Sequence, residues 1–229
     1  MGPMLQKRWG HAAVTLDQHV YVIGGGEDES SPSSTTTEIL AAGSTTWQQG
    51  PPLPIEMFNG PCAVAISSTS FLVFYGKEIR EFDVSIAGPT SSKGWVEEGR
   101  WPKLEIDRHL WPGCAKVGKD KVVIAGGFDG YSVLQTTDIL DLTSRKLSEG
   151  GKMGTTKFLF HIITFNHNGD FTTLALGGDE NVGSGLDTDK VERWNPETAT
   201  WSAVKTRLKE KRSAFGAVAA PKTLICPSK

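Results

Sequence analysis

Short runs of apolar residues alternate along the whole chain with clusters of glycine, proline, aspartate, asparagine and serine. The apolar runs, such as residues 20–23 and 122–125, hold four to seven residues. Runs of this length are too short for ordinary helices and, when bounded by turn-forming residues, are typical of β-strands. The pattern therefore predicts an all-β protein.

The glycines that end some of these runs recur at a fixed interval. Gly25, Gly76, Gly127 and Gly178 are spaced 51 residues apart. The other parts of each unit recur in step with them. Predicted first strands cover 10–16, 60–66, 113–117 and 161–165, second strands 20–25, 72–76, 122–127 and 172–178, and third strands 37–40, 79–84, 137–142 and 191–195. Fourth strands are predicted around Trp47, Trp95, Leu147 and Trp201. Such a period indicates a repeat architecture.

A four-stranded sheet of this size cannot bury both faces alone, whereas copies arranged radially cover one another. We therefore expect one β-propeller domain over residues 1–229, with complete blades at 7–54, 55–104, 105–153 and 154–208 and a partial fifth blade at 209–229. In the fifth unit, residues 211–219 are predicted as a first strand and 223–226 as a second. No third or fourth strand follows, so the expected propeller is open or truncated.

The repeat resembles the kelch family. The resemblance is carried by Arg8, Gly10 and His11 at the start of the first unit, by Gly24-Gly25, and by Trp47 followed by the Pro-Pro-Leu-Pro segment at 51–54. It extends over four copies, although Tyr75 replaces the first glycine in the second. The resemblance implies a kelch-type propeller that binds other proteins, as substrate-recognition adaptors of ubiquitin ligases and cytoskeletal adaptors do. Nothing resembles a BTB domain, a BACK domain or an F-box.

Composition narrows the class of partner. The 229 residues carry a formal net charge of −2, with a pI near 6.2, so no basic field exists to attract nucleic acid or an anionic membrane. Residues 57–76 carry no charged side chain and have the length of a membrane span. Asn59, Pro61 and a Ser/Thr cluster at 67–70 interrupt them, which favours two strands and a turn. We expect no nucleic-acid partner and no membrane partner.

The three cysteines are Cys62, Cys114 and Cys226, which are too few for the disulfide framework of a small secreted protein. Cys62 and Cys114 fall in predicted first strands of the second and third units. They are either a redox pair or two free, small, buried residues, and the second interpretation is favoured. Few cysteines and no apolar leader sequence favour a reducing setting, the cytoplasm or the nucleus.

Candidate chemistry is sparse. The glycines at 24–26 follow a strand, but no Gly-x-Gly-x-x-Gly pattern opens a helix there, and the acidic residues at 27–29 would repel a phosphate. His11 and His161 begin first strands, which in kelch propellers line the channel. A metal site between them is the alternative to packed structural histidines, and the structural role is favoured. We predict no catalytic residue, no cofactor and no metal.

Partner binding is expected at the loops that enter the first strands, because these loops meet around one end of the channel. The predicted binding residues are Arg8, Phe58, Arg108, Trp111, Phe160 and Arg212. Guanidinium groups interleaved with aromatic rings suit a protein or peptide partner, and an acidic peptide in particular. The alternative is that these arginines cap strands or pair with acidic loops.

Two other functions stay open. Kelch scaffolds include enzymes that act on small molecules, such as sugar oxidases and sugar mutarotases or isomerases. The copper site of galactose oxidase and the iron pattern of nitrile-specifier proteins have no counterpart here, so an enzyme is the less favoured prediction. A third alternative is an incomplete fragment with no independent activity.

Overall fold

The computed structural model describes residues 2–28, 34–55, 57, 60–86, 94–107, 110–167, 170–183, 185 and 187–219. These residues form fifteen β-strands and one short 3-10 turn, Val84–Ile86. The all-β class predicted from the apolar runs is confirmed. Among the described residues, no helix has the length and apolar character to cross a membrane.

The strands form four antiparallel sheets, in which consecutive strands are hydrogen-bonded neighbours. Sheet A contains β1 (Ala12–Leu16), β2 (His19–Ile23), β3 (Thr37–Leu40) and β4 (Gln48–Gln49). Sheet B contains β5 (Cys62–Ala65), β6 (Ser70–Tyr75) and β7 (Glu78–Asp83). Sheet C contains β8 (Gly113–Val117), β9 (Lys121–Ala125), β10 (Thr137–Asp141) and β11 (Lys146–Gly150). Sheet D contains β12 (His161–His167), β13 (Asp170–Leu176), β14 (Val191–Asn195) and β15 (Thr200–Ala203).

The 51-residue interval is reproduced in the strand register. Tyr21, Leu72, Val123 and Leu174 occupy the same place in the second strand of sheets A to D, 51 residues apart. Their partners across the first strand are Val14, Val64, Ala115 and Ile163. Because side chains alternate between the two faces of a strand, this common register gives every sheet the same face toward its successor.

Each sheet packs face to face on the next. Tyr21 of sheet A meets Phe71 and Phe82 of sheet B, with ring centroids 5.3 and 5.7 Å apart. Sheets B and C share a second core around Leu72 and Ile124, and sheets C and D share a third core of the same kind. The first strands of consecutive sheets also contact one another, β1 with β5, β5 with β8 and β8 with β12.

Tryptophans anchor the ends of the units. Trp201 in β15 of sheet D is buried, and its indole N–H donates to Oγ1 of Thr137 in sheet C at 3.0 Å. The indole N–H of Trp101 donates to Oε2 of Glu81 in sheet B at 2.9 Å. At the predicted fourth strand of the second unit, Trp95 makes only an isolated bridge with Phe82, so sheet B has three strands in the described part of the chain.

The start of a fifth unit lies against sheet D. Gly178 N–H donates to Arg212 O, and Ala214 N–H donates to Leu159 O, both at 2.9 Å. The prediction of a strand over residues 211–219 is wrong, since these residues form none. The contacts are two separate backbone hydrogen bonds within this segment, whereas a strand needs a continuous ladder with a neighbour. The predicted second strand at 223–226 lies outside the described residues.

Candidate functional site

A cavity of about 510 Å³ lies where the first strands of all four sheets begin. The residues that line it fall in five short segments, 8–13, 60–63, 111–114, 159–162 and 214–217. The first strands β1, β5, β8 and β12 are each the end strand of their sheet. An end strand has one edge outside the sheet's hydrogen-bond ladder, so its backbone N–H and C=O groups are available there. The cavity wall therefore combines backbone groups with the side chains that begin these strands.

Five equivalent turn residues surround the cavity, and we call this ring the mouth. Gly10, Gly60, Trp111, Leu159 and Ala214 all adopt a left-handed conformation, with φ of 65°, 92°, 49°, 53° and 51°. Backbone hydrogen bonds link three pairs of neighbours in this ring. Gly60 N–H donates to Gly10 O at 2.7 Å, Trp111 N–H to Gly60 O at 3.0 Å, and Ala214 N–H to Leu159 O at 2.9 Å. The same left-handed backbone turn is thus repeated around the mouth, although glycine occupies only two of the five positions.

Aromatic rings gather at one side of the mouth. The indoles of Trp9 and Trp111 meet edge to face, with centroids 5.3 Å apart. Trp111 also lies 5.8 Å from Phe158, and Phe158 lies 6.4 Å from Phe128. Trp9 and Trp111 are half-buried and line the cavity. They offer an apolar surface at the place where an incoming group would enter.

Arg8 does not present a free guanidinium at the mouth. Its side chain is 1% exposed and lies within sheet A. The Nε atom donates to Oε1 of Glu38 at 3.0 Å, and the two Nη atoms donate to Gly24 O and to Oγ1 of Thr36. Glu38 also accepts the backbone N–H of Leu5 at 2.7 Å. The alternative of an arginine paired with an acidic residue therefore describes Arg8.

The other predicted binding residues are placed unevenly. Phe160 lines the cavity but is 5% exposed and packs into the core between sheets C and D. Trp111 is the predicted residue that the structure brings to the mouth with its ring partly accessible. Arg212 is half-exposed, and its Nη2 atom lies 3.2 Å from Oε2 of Glu210. Phe58 and Arg108 lie outside the described residues.

Sequence reasoning missed Trp9 and a buried lysine. Lys157 stands two residues before Leu159, as Arg8 stands two residues before Gly10. Its Nζ atom lies 3.3 Å from Gly177 O and 3.7 Å from Oε1 of Glu192, and its side chain is fully buried. Burial lowers the pKa of Lys157, against the opposing charge of Glu192. An alignment of the repeat units on the mouth residues, rather than on the glycine pairs, would have placed this lysine at the position of Arg8.

Two histidines also line the cavity. The pKa of His11 is lowered, first because the surrounding protein desolvates the charged imidazolium and then because of the charge of Arg8. The ring nevertheless stays open to the cavity. The pKa of His161 is lowered by burial, and its ring lies 6.5 Å from that of Phe215. Both imidazoles are therefore neutral near pH 7 and can donate or accept a hydrogen bond. Within the described ranges, no group of three or more His, Cys, Asp and Glu residues could hold a metal.

The cavity wall also contains a disulfide between Cys62 and Cys114. The expectation of two free cysteines is therefore wrong. Cys62 is the first residue of β5 and Cys114 lies in β8, and these first strands run side by side in consecutive sheets. Their Cα atoms are 6.0 Å apart, a separation that a disulfide spans without moving the backbone.

No protein-family model matches the chain, and no curated protein matches it. What the site can do is therefore argued from its geometry. Among the described lining residues, the charged side chain is that of Arg8, which is bound inside sheet A. The rest of the wall is aromatic, aliphatic, neutral imidazole or disulfide. Such a wall suits an uncharged or aromatic group and backbone hydrogen bonding better than it suits an anion.

Proposed function

We propose that the chain is a kelch-type β-propeller, with four blades and the beginning of a fifth, that acts as a protein-interaction module. Sheets A to D would be the blades, and the cavity would be one end of the channel between their inner strands. The common register, the core between each pair of consecutive sheets and the side-by-side first strands support this arrangement. The five equivalent left-handed turns around one cavity support it further.

The partner would be a protein or peptide whose exposed segment enters the mouth. The observation that carries this proposal is the half-buried Trp9–Trp111 pair on a cavity of about 510 Å³. Ligand cavities usually measure roughly 300–1,000 Å³, and tryptophan is enriched among the residues that dominate binding energy. With Arg8 bound internally, aromatic contact replaces the guanidinium rim as the main attraction. Among the predicted arginines that the structure describes, Arg212 is the one on which an acidic preference would depend.

The kelch-like repeat favours an adaptor role, in substrate recognition or in cytoskeletal binding. The proposed compartment is the cytoplasm or the nucleus, in keeping with the small number of cysteines. A disulfide in these compartments is expected to be transient or redox-sensing rather than permanent.

The experiment compares two tagged variants with the natural protein in affinity purification followed by mass spectrometry. Trp111→Gly removes the indole but keeps a residue suited to a left-handed turn, as at Gly10 and Gly60. Tyr131→Ala is the matched control, because Tyr131 is 94% exposed and does not line the cavity.

We expect Trp111→Gly to lower recovery of specific partners at least tenfold and Tyr131→Ala to leave it unchanged. The identified partner should then show the same order of affinity with purified proteins. If Trp111→Gly folds normally and retains every partner, the mouth is not the binding site.

A second candidate function is an enzyme that acts on a small sugar. The observation that favours it is the pair of neutral histidines on the cavity wall, since a neutral imidazole can act as an acid or a base. A screen for carbohydrate turnover, with metal analysis of the purified protein, separates the two functions. Turnover that His161→Gln abolishes would favour the enzyme over the adaptor.

A further inference from the structure

The Cys62–Cys114 disulfide forms part of the cavity wall. The two cysteines are 9% and 8% exposed, and both line the cavity. Neither cysteine is enclosed in the apolar core alone, since each belongs both to the core between sheets B and C and to the cavity wall. The cavity, at about 510 Å³, lies within the size range of small-molecule sites.

The disulfide also lies beside a turn of the mouth. Cys62 follows Gly60 by two residues, and Cys114 follows Trp111 by three. Across the same boundary between sheets B and C, Trp111 N–H donates to Gly60 O at 3.0 Å. The covalent bond and this hydrogen bond therefore fasten the same two first strands at the same end.

The boundary between sheets A and B shows which side chains the fold needs at the positions of the two cysteines. The register gives Ala12 of sheet A the position of Cys62, and Ala63 of sheet B the position of Cys114. Both alanines belong to the core between sheets A and B, which contains no disulfide. Two small side chains are thus enough for packing between consecutive first strands, and the disulfide adds something that packing does not require.

We propose that the Cys62–Cys114 disulfide is a reversible thiol–disulfide exchange site, reached through the cavity by a low-molecular-weight thiol of the glutathione class. It would report the redox state of the surroundings by fastening or releasing the mouth between sheets B and C. This inference does not depend on the proposed protein partner.

The exchange is balanced with two equivalents of the small thiol. The thiolate of the first attacks one cysteine sulfur, the Cys62–Cys114 bond breaks, and the other sulfur leaves as a thiolate that takes up a proton. A second small-molecule thiolate attacks the small-molecule sulfur of the mixed disulfide, the bond from that sulfur to the cysteine breaks, and the cysteine sulfur leaves as a thiolate that takes up a proton. The products are two cysteine thiols and one oxidised small-molecule disulfide. Oxidised glutathione drives the same steps in reverse.

The first test uses the full chain with Cys226→Ser, so that Cys62 and Cys114 are the cysteines that remain. The protein is equilibrated in buffers of reduced and oxidised glutathione, quenched with acid and alkylated, and its free thiols are counted by intact mass. We expect two thiols to appear together as the reduced fraction rises, to disappear when it falls, and to do so with unchanged circular dichroism. A disulfide that persists until denaturant is added, or thiols that stay free in oxidised glutathione, would overturn the proposal.

The second test measures the mouth by amide hydrogen exchange at single-residue resolution. Reduction should speed exchange of the Trp111 amide at least tenfold, because its hydrogen bond crosses the released boundary. The Gly60 amide, which is bonded to Gly10 across the boundary between sheets A and B, is the internal control and should not change. Equal Trp111 exchange in both redox states would overturn the link between the disulfide and the mouth.

The matched variant is Cys62→Ala with Cys114→Ala, which reproduces the Ala12 and Ala63 positions of the neighbouring boundary. It should fold, exchange its Trp111 amide at the rate of the reduced natural protein, and ignore glutathione. A glutathione response that persists in this variant would assign the effect to another site and refute the proposal.

Discussion

At the scale of single residues, the Arg8–Glu38 pair is a buried structural element of sheet A. Both side chains are almost fully enclosed, and the carboxylate also accepts backbone N–H groups from the segment before the first strand. Fixing that segment against the third strand positions Trp9 at the mouth. The pair therefore acts on the candidate site through the backbone, without contact to a ligand.

Removal of this carboxylate tests that role. Glu38→Ala should cost about 3–5 kcal/mol in the free energy of unfolding, because it leaves the Arg8 guanidinium buried without its counter-charge. Asp189→Asn is the control, since Asp189 pairs with Arg207 at 2.8 Å in a partly exposed ion pair, and this change should cost less than about 1 kcal/mol. Urea unfolding of both variants provides the measurement. Similar losses would show that the Arg8–Glu38 pair contributes no more to stability than the Asp189–Arg207 pair does.

A second prediction concerns Gly60, the mouth residue that precedes the first strand of sheet B. An added Cβ at Gly60 would overlap the Trp111 ring, and the residue has φ of 92°. Gly60→Ala should therefore destabilise the protein by about 2–5 kcal/mol, from backbone strain together with overpacking. Gly43, with φ of 74° and no atom near its Cβ position, isolates the strain, and Gly43→Ala should cost about 1 kcal/mol. Thermal unfolding that ranks the two equally would contradict the close approach.

At the scale of elements, two buried tryptophans of sheet D differ in one hydrogen bond. Trp194 and Trp201 pack with centroids 5.1 Å apart. The Trp201 indole N–H is bonded to Thr137, whereas that of Trp194 has no partner in the described part of the chain. Replacement by phenylalanine removes similar bulk in both cases. We expect Trp201→Phe to lower the free energy of unfolding by about 2 kcal/mol more than Trp194→Phe does, since only Trp201→Phe removes a hydrogen bond. Chemical denaturation that finds no difference would show that the bond across sheets C and D is unimportant.

The sequence predicted the strands well because strand length, turn chemistry and period are local properties. The third strand of the first unit, residues 37–40, and the first strand of the third unit, residues 113–117, have the predicted bounds. The fourth strand near Trp95 did not form in the same way, since its pairing depends on a neighbour rather than on its own pattern. The burial of Phe160 at the site could not be predicted for the same reason, because it depends on packing against sheet C.

The repeat period contains a signal for the disulfide, which is an offset of one residue between the two cysteines. Cys62 and Cys114 are separated by 52 residues, one more than the repeat. The residue that matches Cys62 is Gly113, so Cys114 faces the opposite side of its sheet. In a stack of sheets, opposite faces of consecutive members meet. An offset of one residue thus turns two cysteines that would point the same way into a pair that faces each other.

At the scale of the whole molecule, the sheets differ in how completely their faces are covered. Sheets B and C are packed on both sides, whereas the outward face of sheet D carries Ile163, Phe165 and Leu174 in half-buried positions. Their counterparts in sheet C, Ala115, Val117 and Val123, are buried by sheet D. The residues of the fifth unit cover this face only in part.

This difference predicts a gradient of local stability. Amides of β13 in sheet D should exchange with solvent at least tenfold faster than those of β9 in sheet C, because opening sheet D disrupts one core rather than two. Native-state hydrogen exchange monitored at Leu174 and Val123, which are equivalent residues, provides the comparison. Equal protection would mean that the four sheets open as one cooperative unit.

The disulfide has a mechanical consequence as well. When the two ends of the chain are pulled apart, the tension passes from Cys62 directly to Cys114, and the 51 residues from 63 to 113 bear no load. All of sheet B beyond its first residue lies in that shielded loop. Under force, the oxidised protein should therefore extend about 180 Å less than the reduced protein. A change in thiol chemistry at the cavity wall would thus set how far the protein stretches.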